Sequence, residues 1–93
     1  MEKKTYDLSE NVKVNTSWDD LMIFDDVYVD GELRLRVAIN QGTTVVREVL
    51  TYFEYYEDEN GGKCVRIISG EEFRQMVTDY VNKDKRKEVC IHE

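Results

Sequence analysis

A chain of 93 residues with 41% hydrophobic and 35% charged side chains has apolar mass for one packed core and no room for a second, which predicts a single domain over 1–93. The formal net charge of −7 disfavours direct nucleic-acid binding, which needs a basic stripe, and two distant cysteines exclude the disulfide framework of a small secreted domain. No stretch approaches the roughly 18 apolar residues of a membrane span, and no apolar run follows Met1-Glu2-Lys3-Lys4, so a cytoplasmic protein with Cys64 and Cys90 as free thiols is expected.

In chain order, Val12-Lys13-Val14 alternates and predicts a short strand. Ser17 stands three residues before Asp20, a capping-box-like start that predicts a short helix from Trp18 to about Phe24. Val27-Tyr28-Val29 and Leu33 to Ile39 flank Asp30-Gly31, the residue pair that best tolerates positive φ at both positions of a two-residue hairpin turn. Alternation along the second strand would place Leu33, Leu35, Val37 and Ile39 on one face, with Glu32, Arg34 and Arg36 on the other. Gln41-Gly42 reads as a further turn. Residues 43–57 carry apolar groups at helical spacing but are dense in β-branched and aromatic residues, so helix and strand both remain open, with a long, bulged strand the preferred reading.

Asn60-Gly61-Gly62 supplies a second hairpin signal ahead of a strand over Lys63 to Ile68. Ser69 and Glu72 form a capping box, and Phe73, Met76, Val77, Tyr80 and Val81 recur at helical spacing. The helix is expected to end near Asn82, where the cations from Lys83 to Lys87 suit the negative end of its dipole, and Val89-Cys90-Ile91 could return as a last short strand. The fold class expected is α+β: an antiparallel meander with a short N-terminal helix and a C-terminal amphipathic helix packed on one face.

Chemistry-bearing constellations are sparse. Cys90 and His92 share a strand face at the chain end, a poor setting for a thiolate–imidazole pair, and Cys64, Cys90 and His92 could hold zinc only if the last strand paired beside Cys64. The pairs Asp19-Asp20 and Asp25-Asp26 lack the spacing of a calcium loop, and the glycines form no phosphate cradle. No enzyme, cofactor or metal is therefore expected.

The charge is unevenly distributed. Between Thr5 and Glu32 lie eight acids and one base, whereas the remaining residues hold equal numbers of each. A coherent carboxylate patch there would attract a basic protein, and carboxylates along a turn and strand imitate a row of phosphates. The expected contact residues are Asp19, Asp20, Asp25, Asp26, Tyr28, Asp30 and Glu32, joined by Glu54, Tyr55, Tyr56, Glu57 and Asp58 from the aromatic-acidic run. In size, charge and want of chemistry the chain resembles the small acidic DNA-mimicking inhibitors of phages and mobile elements, including anti-CRISPR and anti-restriction proteins. That resemblance implies inhibition by occupying the nucleic-acid-binding surface of a basic partner such as a nuclease. The alternative is a structural or adaptor subunit that assembles through its sheet edge or tyrosine face.

Overall fold

The computed structural model of the chain describes residues 2–40 and 48–89, in which six strands precede one helix. The strands are β1 (Glu2–Asp7), β2 (Val12–Trp18), β3 (Met22–Val29), β4 (Glu32–Asn40), β5 (Glu48–Glu57) and β6 (Lys63–Ile68), and the helix is α1 (Gly70–Val89). The strands form one antiparallel sheet in the order of the sequence, so every strand pairs with its chain neighbours. The expected α+β class and meander are seen.

The expected N-terminal helix is not. Trp18 closes β2 opposite Ile23 of β3, and the chain reverses through Asp19-Asp20-Leu21. Asp19 Oδ1 accepts the Leu21 and Met22 amides at 2.8 and 2.9 Å, and the Asp19 amide donates to the Met22 carbonyl at 3.0 Å. Capping chemistry is present, but it closes a hairpin. The segment from Ile23 to Val29, rich in β-branched and aromatic residues, gains a partner strand on each side, which outweighs the weak helical preference of the seven residues from Trp18 to Phe24.

Between β3 and β4, Asp30 and Gly31 take φ of 52° and 82°, the left-handed pair a type I′ turn requires. A bulge follows: Val27 faces Leu35 while Tyr28 faces Leu33, leaving Arg34 as the extra residue. It shifts the expected alternation. Leu33 joins the face of Tyr28, and Glu32 and Arg34 move to the face of Val27 and Leu35, whereas Leu35, Val37, Ile39 and Arg36 keep their expected sides. A second bulge at Leu50, where Ala38 faces Thr51 and Ile39 faces Val49, makes β5 the long, bulged strand the β-branched residues favour. The Gln41-Gly42 turn and positions 43–47 lie outside the described residues.

The helix starts on a reciprocal capping box: the Glu72 amide donates to Ser69 Oγ at 3.1 Å and the Ser69 amide to Glu72 Oε1 at 3.2 Å. Its apolar stripe of Phe73, Met76, Val77, Tyr80 and Val81 covers Val12, Val27, Leu35 and Ile68, forming the core. Tyr52 stacks on Phe73 with ring centroids 5.1 Å apart. α1 runs past Asn82 to Val89, correcting both the expected stop and the strand beginning at Val89; Cys90 and Ile91 lie outside the described residues. Asp84, 5% exposed, explains the extension. Its carboxylate accepts Ser9 Oγ (2.6 Å), the Asn11 amide (2.8 Å) and Asn11 Nδ2 (2.9 Å), which pins the last turns of the helix to the β1–β2 turn.

α1 thus crosses one face obliquely, from β5 to β2. Among the described residues no element packs over the other face. The chain exposes 6833 Å², against about 5,600 Å² for a compact monomer of its mass. Its radius of gyration, 15.0 Å, likewise exceeds the roughly 12 Å of a compact chain of this length. One helix cannot cover a six-stranded sheet.

Candidate functional site

Strand parity decides which side chains share the open face. Phe24, Asp26 and Tyr28 of β3 stand beside Leu33 and Arg36 of β4, Phe53 and Tyr55 of β5, and Val65 and Ile67 of β6. At its centre is an ion pair. Asp26, 5% exposed, accepts Arg36 Nε on Oδ1 at 2.6 Å and Nη2 on Oδ2 at 3.0 Å, a two-point match of carboxylate to guanidinium. The Asp26 hydrogen bond pushes Arg36 above the usual guanidinium pKa; Tyr55 and Tyr28 add smaller electrostatic contributions in the same direction. Arg36 Cζ also lies 5.4 Å from the Phe24 ring centroid, within cation–π range.

Around this clamp, Phe24, Tyr28, Leu33, Phe53 and Tyr55 are half-buried, and the surface becomes fully exposed at β6, where Val65 and Ile67 are 55% and 73% accessible. Toward β1 the same face turns polar: Thr5, Asn11, Lys13, Asn15 and Tyr28 line a shallow groove of about 480 Å³. The arrangement offers contact area and one rigid polar centre.

The expected carboxylate patch is not assembled. Asp25 and Asp26 are consecutive in a strand and point to opposite faces; Asp25 accepts Thr16 Oγ1 at 2.7 Å on the helix side. Asp19 and Asp20 sit at one end of the sheet, Asp30 and Glu32 at the other, separated by β3, about 25 Å long. That distance is about three Debye lengths at physiological salt, so the two ends do not act as one field. Several carboxylates are also matched internally: Asp26 by Arg36, Glu32 by Arg34 at 2.8 Å, and Glu54 by Arg66 on the helix side. Asp19 is held below the usual carboxylate range by the Leu21 and Met22 amides, and Asp58 accepts the amides of Asn60 and Gly62 at the β5–β6 turn. These acids build turns.

Tyr28 and Tyr55 share the open face, whereas Tyr56 lies on the helix side near the β5–β6 end, with Glu57 at the end of β5. Arg36, Phe24, Phe53, Val65 and Ile67 escaped the sequence reading. The signal that finds them is alternation counted outward from the Asp30-Gly31 turn, with the Asp26 and Arg36 pair as the cross-strand match.

Among the described residues no three potential metal ligands gather, and no helix is long and apolar enough to cross a membrane. Cys64, on β6, is a free thiol; Cys90 and His92 lie outside the described residues. Fold and site together define an α+β sheet protein with one face that no described element covers. Comparison with protein-family models, curated proteins and solved structures gives no match in any of the three.

Proposed function

We propose that the protein is a non-enzymatic binding module that engages a basic protein partner through the uncovered sheet face. One observation carries this reading: Phe24, Tyr28, Phe53 and Tyr55 stand half-buried around the Asp26–Arg36 pair on a face that no described element covers. Aromatic side chains and Arg concentrate at the buried centres of interfaces, because they give large contact area for little lost entropy. The pair fixes Arg36, and Arg36 in turn supports Phe24, so the centre is set before a partner arrives. The net charge of −7 favours encounter with a cationic protein over an anionic one.

A narrower version, in which the chain occupies a nucleic-acid-binding surface in place of phosphates, has separate support in the topology. The β1–β2, β3–β4 and β5–β6 turns share one end of the sheet and carry Glu10, Asp30, Glu57 and Glu59, successive turns standing about 10 Å apart.

Affinity capture from host lysate at low and high salt tests both readings. A basic protein captured by the wild type, released by salt and no longer retained by Phe53→Ala/Tyr55→Ala supports the face. Undiminished capture by that variant sinks it. Loss on Glu57→Lys/Glu59→Lys alone transfers the function to the acidic end.

A further inference from the structure

The two edges of the sheet are built differently. β1 carries Glu2, Lys3, Lys4 and Asp7 among its six residues, with the Lys4 ammonium 5.2 Å above the Tyr6 ring, and charges at this density keep an edge from pairing with another chain. β6 is guarded less, with Lys63 at its start and Arg66 inside it: Val65 and Ile67 are 55% and 73% exposed, and no described strand lies beyond them. Its one interior charge, Arg66, is already matched by Glu54 and stands 3.9 Å from Glu72. α1 leaves β6 at Gly70, under the Tyr52 ring of β5, and runs toward Asn11, so the outer edge of β6 stays clear of the helix.

We infer that β6 is a self-association edge: two copies of this chain pair β6 with β6 antiparallel about a two-fold axis at Arg66, giving one continuous twelve-stranded sheet. The sequence of β6 selects the register. An axis at Arg66 sets Val65 opposite Ile67 of the second copy, so exposed aliphatic side chains meet on the open face, and sets Cys64 opposite the core residue Ile68. An axis at Val65 would instead put Lys63 opposite Ile67 and Cys64 opposite Arg66. At Arg66 like charges meet, but each guanidinium has its own Glu54.

In this dimer the open faces lie on the same side, so the aromatic surfaces of both copies form one platform. The pairing runs through the backbone edge of β6 and needs no basic partner, although Val65 and Ile67 also belong to the open face.

Sedimentation equilibrium of the full chain over a range of concentrations tests the pairing. The wild type is expected to be a dimer, and Val65→Lys/Ile67→Lys to dissociate at least about tenfold more readily while keeping the wild-type circular dichroism. Register is tested by Arg66→Cys in a Cys64→Ser/Cys90→Ser background, which should give a disulfide-linked dimer on mild oxidation, because the two positions 66 face each other across the axis. A wild type monomeric at every concentration overturns the inference. So does a dimer that survives the lysine pair, or one that cross-links through Tyr28→Cys in the same background and not through Arg66→Cys. Because Val65 and Ile67 also stand on the open face, opposite Tyr55 and Phe53, the lysine pair is read for association alone, and capture of a basic partner is read from Phe53→Ala/Tyr55→Ala with β6 unchanged.

Discussion

Asp26 and Arg36 show how much a single pair can decide on a half-covered sheet. The carboxylate is 5% exposed and the guanidinium side chain about a third exposed, so the acid depends on the base more than the base on the acid. Arg36→Ala is expected to destabilise the fold by about 2–3 kcal/mol, below the full cost of breaking a buried pair because water reaches this one. Replacing both, as Asp26→Leu/Arg36→Met, should return the urea midpoint to near the wild type, since no buried charge is then left alone. Tyr80 makes a pH prediction. Burial first, and the nearby Glu54 second, raise its pKa above the ordinary tyrosine value, against a smaller opposing effect of Arg34. The fold therefore favours the protonated phenol, and this contribution is complete below the unfolded value near 10 and lost as pH rises through the raised value. Urea midpoints measured from about pH 9 to about pH 11 should fall more steeply for the wild type than for Tyr80→Phe.

Among the elements, the β3–β4 and β5–β6 hairpins and the helix were legible because their signals are local, whereas β1 (Glu2–Asp7) went unread. Asp30-Gly31 occupies the left-handed turn its residues favour, and Ser69 with Glu72 makes the reciprocal box the spacing implied. Errors arose where a local signal had two outcomes. Asp19 accepts backbone amides as a helix cap does, but the chain beyond it is claimed on both sides by β2 and β4, a competition visible only in three dimensions. The bulge at Arg34 is equally silent in the sequence, and one inserted residue moved Leu33, Glu32 and Arg34 to faces opposite those expected. The candidate site was legible in part: Tyr28 and Tyr55 were named, but Arg36 and Phe53 required the register. The length of α1 was hidden because its anchor is distant. Asp84→Ala should cost about 3 kcal/mol, leaving the Asn11 amide without its acceptor, and hydrogen exchange should quicken in the last two turns of α1 before it quickens in β3 or β4.

For the molecule as a whole, charge and topology act on different properties. Net charge is a sum over the chain and survives any arrangement, whereas a patch requires neighbours. The meander reverses direction at every turn, and the acids of the first third were therefore sent to two ends and two faces. The same meander leaves few links between positions distant in the chain. Strands join only those made just before or after them, so the ribbon can zip up hairpin by hairpin as the polypeptide is produced. The contact from Asp84 back to Asn11 spans 73 positions and is of another kind. It needs both the β1–β2 turn and the last turns of α1 in place, and it fastens one to the other. A chain without that clasp would hold its helix more loosely over Val12 and Val27, so one carboxylate ties the order of the helix end to the dryness of the valines beneath it.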